Sequence, residues 1–68
     1  MLKYSKHARE KMIERGISES EIEQAIKVGA KELQNPNKIL FHFRYFTAVS
    51  KKINEDYFII TVKPRWKK

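Results

Sequence analysis

Cysteine is absent from this 68-residue chain, and glycine and proline occur only twice each. Without cysteine, disulfide bonds and thiolate metal sites are excluded, so the chain is not a disulfide-stapled secreted miniprotein. Both glycines, Gly16 and Gly29, stand where a helix would end, which leaves none for a phosphate-binding loop or a dinucleotide fingerprint. We therefore expect no nucleotide or other cofactor. With only two histidines and few carboxylates outside the helices, we also expect no metal site.

Long apolar runs are missing as well. The longest has four residues, whereas a bilayer span needs about 20. The first residues also lack an apolar run of signal-peptide length, so we expect no membrane association and a cytoplasmic location. The length favours a single domain over residues 1–68.

Positive charge dominates the composition, with 15 Lys and Arg against 8 Asp and Glu and a net charge of +7. Residues 1–32 carry 7 basic and 6 acidic side chains, whereas residues 33–68 carry 8 basic and 2 acidic. A basic surface is typical of a protein that binds a polyanion, so we expect the second half to face one. The same lysine-rich composition is also typical of thermophile proteins and of small soluble domains.

The first half predicts two helices. Ser5 is a candidate N-cap, and no Gly or Pro interrupts the chain before Gly16, which can take the left-handed C′ conformation. Ser18 and Glu21 have the spacing of a capping box, and Gly29 marks the end of the second helix.

The second half predicts strands at residues 31–34, 39–53 and 57–63, with turns at 35–37 and 54–56. Because fifteen residues exceed a usual strand, we expect a bend near residues 44–47. The predicted fold class is α+β, with two N-terminal helices packed on a three- to four-stranded antiparallel sheet and a basic opposite face or rim.

Alternation along the strands predicts which side chains share a face. In the long segment one parity holds Ile39, Phe41, Phe43, Tyr45, Thr47 and Val49, and the other holds His42 and Arg44. In the last strand one parity holds Phe58, Ile60 and Val62, and the other holds Tyr57, Ile59, Thr61 and Lys63.

The remaining polar residues suit phosphodiester chemistry without a metal. When the 2′-oxygen of RNA attacks phosphorus, one group must remove a proton, one must return a proton, and cations must stabilise the transition state. A histidine suits either proton transfer, and Arg or Lys suits the third task. The candidates are His7, Arg9, Lys11 and Arg15 on the first helix, His42 and Arg44 in the long strand segment, and Thr61, Lys63 and Arg65 in or after the last strand. His7, Lys11 and Arg15 share one helix face.

Simpler interpretations remain open for these residues. Either histidine could make an ordinary hydrogen bond with no functional role, and Arg44 could pack the aliphatic part of its side chain against the sheet. Among the aromatic residues Phe41, Phe43, Tyr45, Phe46, Tyr57 and Phe58, most must be core in so small a domain, which leaves one or two rings to stack on bases.

The segment from His7 to Ser18 resembles the pattern H-A-x-x-R-M-x-x-R-G-I-S of a bacterial and archaeal domain family of unknown function. That family is grouped with the RelE, ParE and BrnT-like toxins of toxin–antitoxin systems, many of which cleave RNA without a metal. The resemblance implies N-terminal helices against a curved antiparallel sheet. His7, Arg15 and Gly16 match its recurring positions, Lys11 stands where the family usually has Arg, and Arg44, Tyr45 and Thr61 match its later polar positions.

From these observations we expect a toxin-like RNA-binding protein that acts as a metal-independent endoribonuclease. In this hypothesis His7, Arg44 and Thr61 are catalytic, and Lys11, Arg15, His42, Tyr45, Lys51, Lys52, Lys63 and Arg65 bind the nucleic acid. The expected partners are RNA, which could be ribosome-associated, and an acidic antitoxin protein, with a homodimer as a further option. The alternative is a non-catalytic module that binds nucleic acid or protein, including a degenerate toxin homologue.

Overall fold

Two helices and a five-stranded sheet form the part of the chain that the computed structural model describes, residues 2–34 and 37–64. In chain order the elements are β1 Leu2–Tyr4, α1 Lys6–Arg15, α2 Glu19–Val28, β2 Ala30–Gln34, β3 Lys38–Phe43, β4 Phe46–Ile53 and β5 Asp56–Pro64. The strand order is β1-β5-β4-β3-β2, with β1 parallel to β5 and the other pairs antiparallel. The α+β class is confirmed, with one strand more than the four expected at most.

Local hydrogen bonds define both helices as the sequence predicts. Ser5 caps α1 by accepting from the backbone of Ala8, and Gly16 ends it with a φ of 70°. Ser18 and Glu21 form the predicted capping box of α2. Gly29 ends α2 with extended backbone at a φ of −74°, so its role there is not the left-handed turn that Gly16 makes.

The strand that the sequence did not indicate is β1. It has three residues, too few to show an alternating pattern, and it forms only by pairing with β5 at the other end of the chain. The Ser5 amide donates to the Ile59 carbonyl at 3.0 Å, which anchors the start of α1 to the same strand.

The predicted bend is a tight hairpin between β3 and β4, and it corrects the expected faces. Its loop is Arg44 and Tyr45, and Arg44 has a φ of 53°. Paired residues across this hairpin share a face, and each pair joins an even-numbered residue to an odd-numbered one: His42 pairs with Thr47, and Phe43 with Phe46. The expectation that Thr47 and Val49 lie on the same face as Phe43 is therefore wrong. Tyr45, which was expected on that face too, lies in the loop.

A bulge between β4 and β5 corrects the faces of the last strand. Ser50 pairs with Ile59, but Val49 pairs with Thr61, so Ile60 is an extra residue. Ile59 and Val62 consequently lie on the same face, in the core cluster. The expectation from alternation that these two residues lie on opposite faces is therefore wrong.

One face of the sheet, here called the helix side, packs against α1 and α2. The core cluster on this side is Ala8, Met12, Ile17, Ile22, Ala25, Ile39, Phe41, Phe46, Ala48, Ile59 and Val62. Phe41 also meets the Tyr57 ring edge-on, with centroids 5.4 Å apart. Because the helices occupy this side, side chains of the opposite parity form a separate second face.

No helix within the described ranges is long and apolar enough to cross a membrane. The predicted turn at residues 35–37 lies partly outside the described residues, and the basic tail after Pro64 lies wholly outside them.

Candidate nucleic-acid interface

Three lysines and one phenylalanine line up across the second face. Lys3 pairs with Phe58, Phe58 with Lys51, and Lys51 with Lys38, so the four residues cross β1, β5, β4 and β3 in one row. We call this row the lysine rung. The three lysines are exposed and Phe58 is half-buried between two of them. Adjacent strands are about 4.8 Å apart, so the row presents a dense strip of positive charge around an aromatic ring.

A mostly apolar row follows the lysine rung. It consists of Thr61, Val49 and Leu40, and it ends at Glu32 on the edge strand β2. Val49 and Leu40 are buried and Thr61 is half-buried. The accessible polar groups of the second face are therefore concentrated in the rows on either side of it.

A hydrogen-bonded line of three side chains joins β2, β3 and β4 on the second face. His42 Nε2 lies 2.7 Å from Glu32 Oε1, and His42 Nδ1 lies 2.8 Å from Thr47 Oγ1. An ionised carboxylate only accepts, so Nε2 donates to Glu32, and in a neutral ring Nδ1 accepts the Thr47 hydroxyl proton. The His42 side chain is 24 % exposed, whereas Thr47 is only 2 % exposed. The imidazole is thus fixed in orientation and partly exposed, with both ring nitrogens hydrogen-bonded.

Lys63 lies next to this line, since it pairs with Thr47 across β4 and β5. The order in this row is Lys63, Thr47, His42, so the lysine and the histidine flank the buried threonine. His42 and Lys38 are four residues apart on β3, about 13 Å along the strand. The second face therefore has cations at both ends and one oriented histidine.

A cleft of about 330 Å³ opens at the end of the lysine rung. It is lined by Lys3, Ile53, Asn54, Asp56, Tyr57 and Phe58. Asn54 is in the β4–β5 turn with a φ of 57°, a conformation that asparagine tolerates better than most residues. The cleft combines an aromatic wall, polar groups and a lysine.

The candidates on α1 lie on the other side of the molecule from this face. His7 and Arg15 are exposed at the two ends of the helix. Lys11 pairs with Glu14 at 3.1 Å, and this hydrogen bond is the main cause of a lowered pKa of the Glu14 carboxyl. Because α1 packs on the helix side, the sheet separates His7 from Thr61, and the structure does not bring these two predicted catalytic residues together.

The hairpin residues Arg44 and Tyr45 form a third location. The Arg44 guanidinium lies 5.1 Å from the centroid of the Phe43 ring. The Tyr45 hydroxyl donates to Glu21 Oε2 at 3.1 Å, which raises the pKa of Tyr45. The pKa of Glu21 is lowered, first by the backbone N–H of Ser18 and further by Tyr45. These contacts join the hairpin to the start of α2.

Two candidates remain. Lys52 pairs with Tyr57, so it has the parity of the helix side, and its Nζ lies 5.8 Å from the centroid of that ring. Arg65 lies outside the described residues. Of the predicted set, the second face therefore carries His42, Lys51, Thr61 and Lys63.

Acidic side chains are concentrated on the helices. Five of the eight carboxylates are in α1 and α2: Glu10, Glu14, Glu19, Glu21 and Glu23. Arg9 pairs with Glu19 at 3.5 Å, which partly neutralises this side. The two helices also carry five basic side chains, so their charges balance, whereas the second face carries Lys3, Lys38, Lys51 and Lys63 against Glu32.

The sequence analysis did not select Lys3, Lys38, Glu32 or Asn54. Lys3 was missed because β1 was missed, and Lys38 because its alignment with Lys51 depends on the β3–β4 register. The two-residue hairpin that sets this register has no Gly or Asn to signal it. Within residues 2–34 and 37–64, no three His, Asp or Glu side chains cluster in a way that could hold a metal ion.

No curated protein and no solved structure matches the chain at significant similarity. One protein family does match, over residues 4–67, under the description "Domain of unknown function (DUF4258)". The match covers both helices and the strands β2 to β5 that carry most of the second face. The chain belongs to the DUF4258 family.

Proposed function

We propose that this protein is a toxin-like RNA-binding protein that cleaves RNA without a metal ion, and that RNA lies on the second face. The observation that carries the proposal is the alignment of Lys3, Lys51 and Lys38 in one row, with His42 on the same face. The resemblance of residues 7–18 to a family grouped with toxins also supports it.

Binding to RNA phosphates follows from the excess of positive charge on the second face. The lysine rung and Lys63 attract a polyanion, while the basic and acidic side chains of the helices balance one another, so the second face is favoured over the helices. Each neutralised phosphate of a single strand releases counterions, which makes the binding dependent on salt.

His42 is the group best placed for proton transfer on this face. Its ring is oriented by Glu32 and Thr47. With Glu32 displaced from Nε2, the Nε2 proton would pass to the leaving-group oxygen, and the Glu32 carboxylate would take the proton of the 2′-hydroxyl. Glu32 is 55 % exposed on an edge strand, so this displacement needs no rearrangement of the core. Lys63 is the nearest cation in the same row and would stabilise the charge that develops on the phosphate.

Incubation of the purified protein with labelled total RNA in excess EDTA tests the proposal. We expect cleavage by the wild type and a loss of about 10²-fold or more in His42→Ala, since positioned acid–base groups contribute about 10² to 10⁴. His7→Ala is the matched variant, because His7 is the other histidine and lies on α1. Loss of cleavage in His7→Ala alone would return the catalytic role to His7.

A specific observation supports a second function, RNA binding without cleavage. Both ring nitrogens of His42 already have partners, and the Thr47 hydroxyl is buried. In that case Glu32, His42 and Thr47 only stabilise the sheet beneath a binding surface, as in a degenerate toxin homologue. Salt-sensitive binding with no cleavage in the same assay would establish this function and overturn the proposed nuclease activity.

An acidic antitoxin protein is the partner that we propose for the same lysines. A carboxylate-rich segment would pair with the same lysines that bind RNA phosphates, so the two ligands would compete.

A further inference from the structure

We infer that the cleft at the end of the lysine rung holds one unpaired RNA base, stacked on Phe58, which makes single-stranded RNA the ligand class of this protein. The inference rests on the proposed RNA binding and specifies its substrate.

The first support is the position of Phe58. It lies outside the core cluster that the helices cover, whereas Phe41 and Phe46 are fully packed within that cluster. Its ring is half-buried on the second face and forms one wall of the cleft. A half-buried ring keeps part of its surface exposed, and stacking on such a ring is an interaction that proteins use to hold unpaired bases.

The second support is the arrangement of the other walls. Ile53 is 47 % exposed and provides a second apolar surface, while Asn54 and Asp56 supply polar groups beside it. An asparagine amide both donates and accepts, so it can meet the edge of a base.

The third support is the placement of the cations. Lys3 and Lys51 lie on the strands either side of Phe58, about 4.8 Å away on each side. Phosphates on the two sides of the stacked nucleotide would meet these lysines outside the cleft. The volume of about 330 Å³ is at the lower end of ligand pockets, which suits one base rather than a stack of several.

Double-stranded RNA does not fit this arrangement. In an A-form helix the bases are paired and stacked inside, and side chains reach mainly phosphates and 2′-hydroxyls. A duplex could contact the lysines but could not place a base on Phe58. The protein should therefore prefer single strands over duplexes of equal charge.

Fluorescence anisotropy with three labelled RNA probes tests the inference: a uridine hexamer, a hexamer of the same charge without bases, and a duplex of equal charge. We expect the wild type to bind the uridine hexamer about 10-fold more tightly than the abasic hexamer, in line with one stacked base. Phe58→Leu should abolish this preference, and Phe58→Tyr should retain it. Phe43→Leu, which removes a half-buried ring at the hairpin end of β3, away from the cleft, is the matched control and should behave as the wild type.

The outcomes separate this inference from the proposed function. Equal binding of the uridine and abasic hexamers by the wild type would overturn the base site but leave phosphate binding intact. An unchanged preference in Phe58→Leu would also overturn it. Failure to bind any probe would overturn both proposals. The wild-type comparison needs no variant, so a destabilised Phe58 variant would not weaken the test.

Discussion

Gly29 lies where the end of α2 approaches the backbone of β3. A Cβ built there would clash with the Ala25 carbonyl oxygen and lie 2.8 Å from the His42 carbonyl oxygen. Both neighbours are backbone atoms, which cannot rotate away. The absence of a side chain at Gly29 therefore lets the helix end pack directly behind the strand that carries His42.

Gly29→Ala should destabilise the fold by about 3 kcal/mol, since overpacking against backbone must move an element. Gly16→Ala is the matched control, because a Cβ there meets nothing within 4 Å and the cost comes from its φ of 70°. That cost is about 1 kcal/mol. Urea unfolding of both variants measures the difference, and equal losses would contradict the close approach at Gly29.

At the scale of elements, Ser5 links three of them. Its hydroxyl caps α1 by accepting from the Ala8 amide at 2.9 Å and donates to the Ile60 carbonyl in β5 at 2.6 Å. Its own amide also bonds to β5, at Ile59. One serine thus ends β1, starts α1 and attaches both to the extra residue of the β5 bulge.

Ser5→Ala should lower the free energy of unfolding by about 2 kcal/mol, about half from the lost cap and half from the unpaired carbonyl. Ser18→Ala loses a cap of the same kind, on α2, with no bond from the hydroxyl to a strand, and should cost about 1 kcal/mol. Chemical denaturation of the two variants compares them. A smaller effect at Ser5 than at Ser18 would show that the bond to Ile60 contributes no stability.

The capping box of α2 predicts a dependence of stability on pH. The pKa of Glu21 is lowered in the folded protein, first by the Ser18 backbone N–H, so its ionised form stabilises the fold. This stabilisation is present above the unfolded pKa near 4.5 and is lost as the pH falls through the lower folded pKa.

Glu21→Gln should therefore lower Tm at pH 7, and the difference from the wild type should shrink as the pH falls below 4.5. Glu23→Gln removes the same charge from the same helix without touching the capping box, so it serves as the control. Thermal melts followed by circular dichroism across this pH range measure both. A difference for Glu21→Gln that stays constant with pH would contradict the assigned cause.

The elements differ in how far the sequence predicts them. The caps at Ser5 and Ser18 and the end at Gly16 are local patterns, so both helices could be located correctly. Strand β1 and the bulge at Ile60 depend on pairing between distant segments, which no local pattern records. The same limit applies to the site: His42, Lys51 and Lys63 could be named individually, but their common face follows only from the register.

At the scale of the whole molecule, the fold concentrates uncompensated positive charge on the second face. The five glutamates of α1 and α2 are balanced by five basic side chains on the same helices, whereas strand pairing places Lys3, Lys38 and Lys51 in one row. The net charge of +7 is therefore not spread evenly, and an anion should meet the second face first. The central claim of this account is that RNA binds there and not on the helix side.

The most direct measurement is the salt dependence of single-stranded RNA binding by two charge-matched triple variants. One removes the lysine rung cations with Lys3→Ala, Lys38→Ala and Lys51→Ala, and the other removes exposed lysines of the helix side with Lys6→Ala, Lys27→Ala and Lys31→Ala. The rung variant should bind weakly, with the slope of log K against log salt reduced by about 2, as expected for three lost phosphate contacts. The helix-side variant, which has the same net charge, should retain nearly the wild-type affinity and slope. Equal losses in the two variants, or a larger loss in the helix-side variant, would contradict the account.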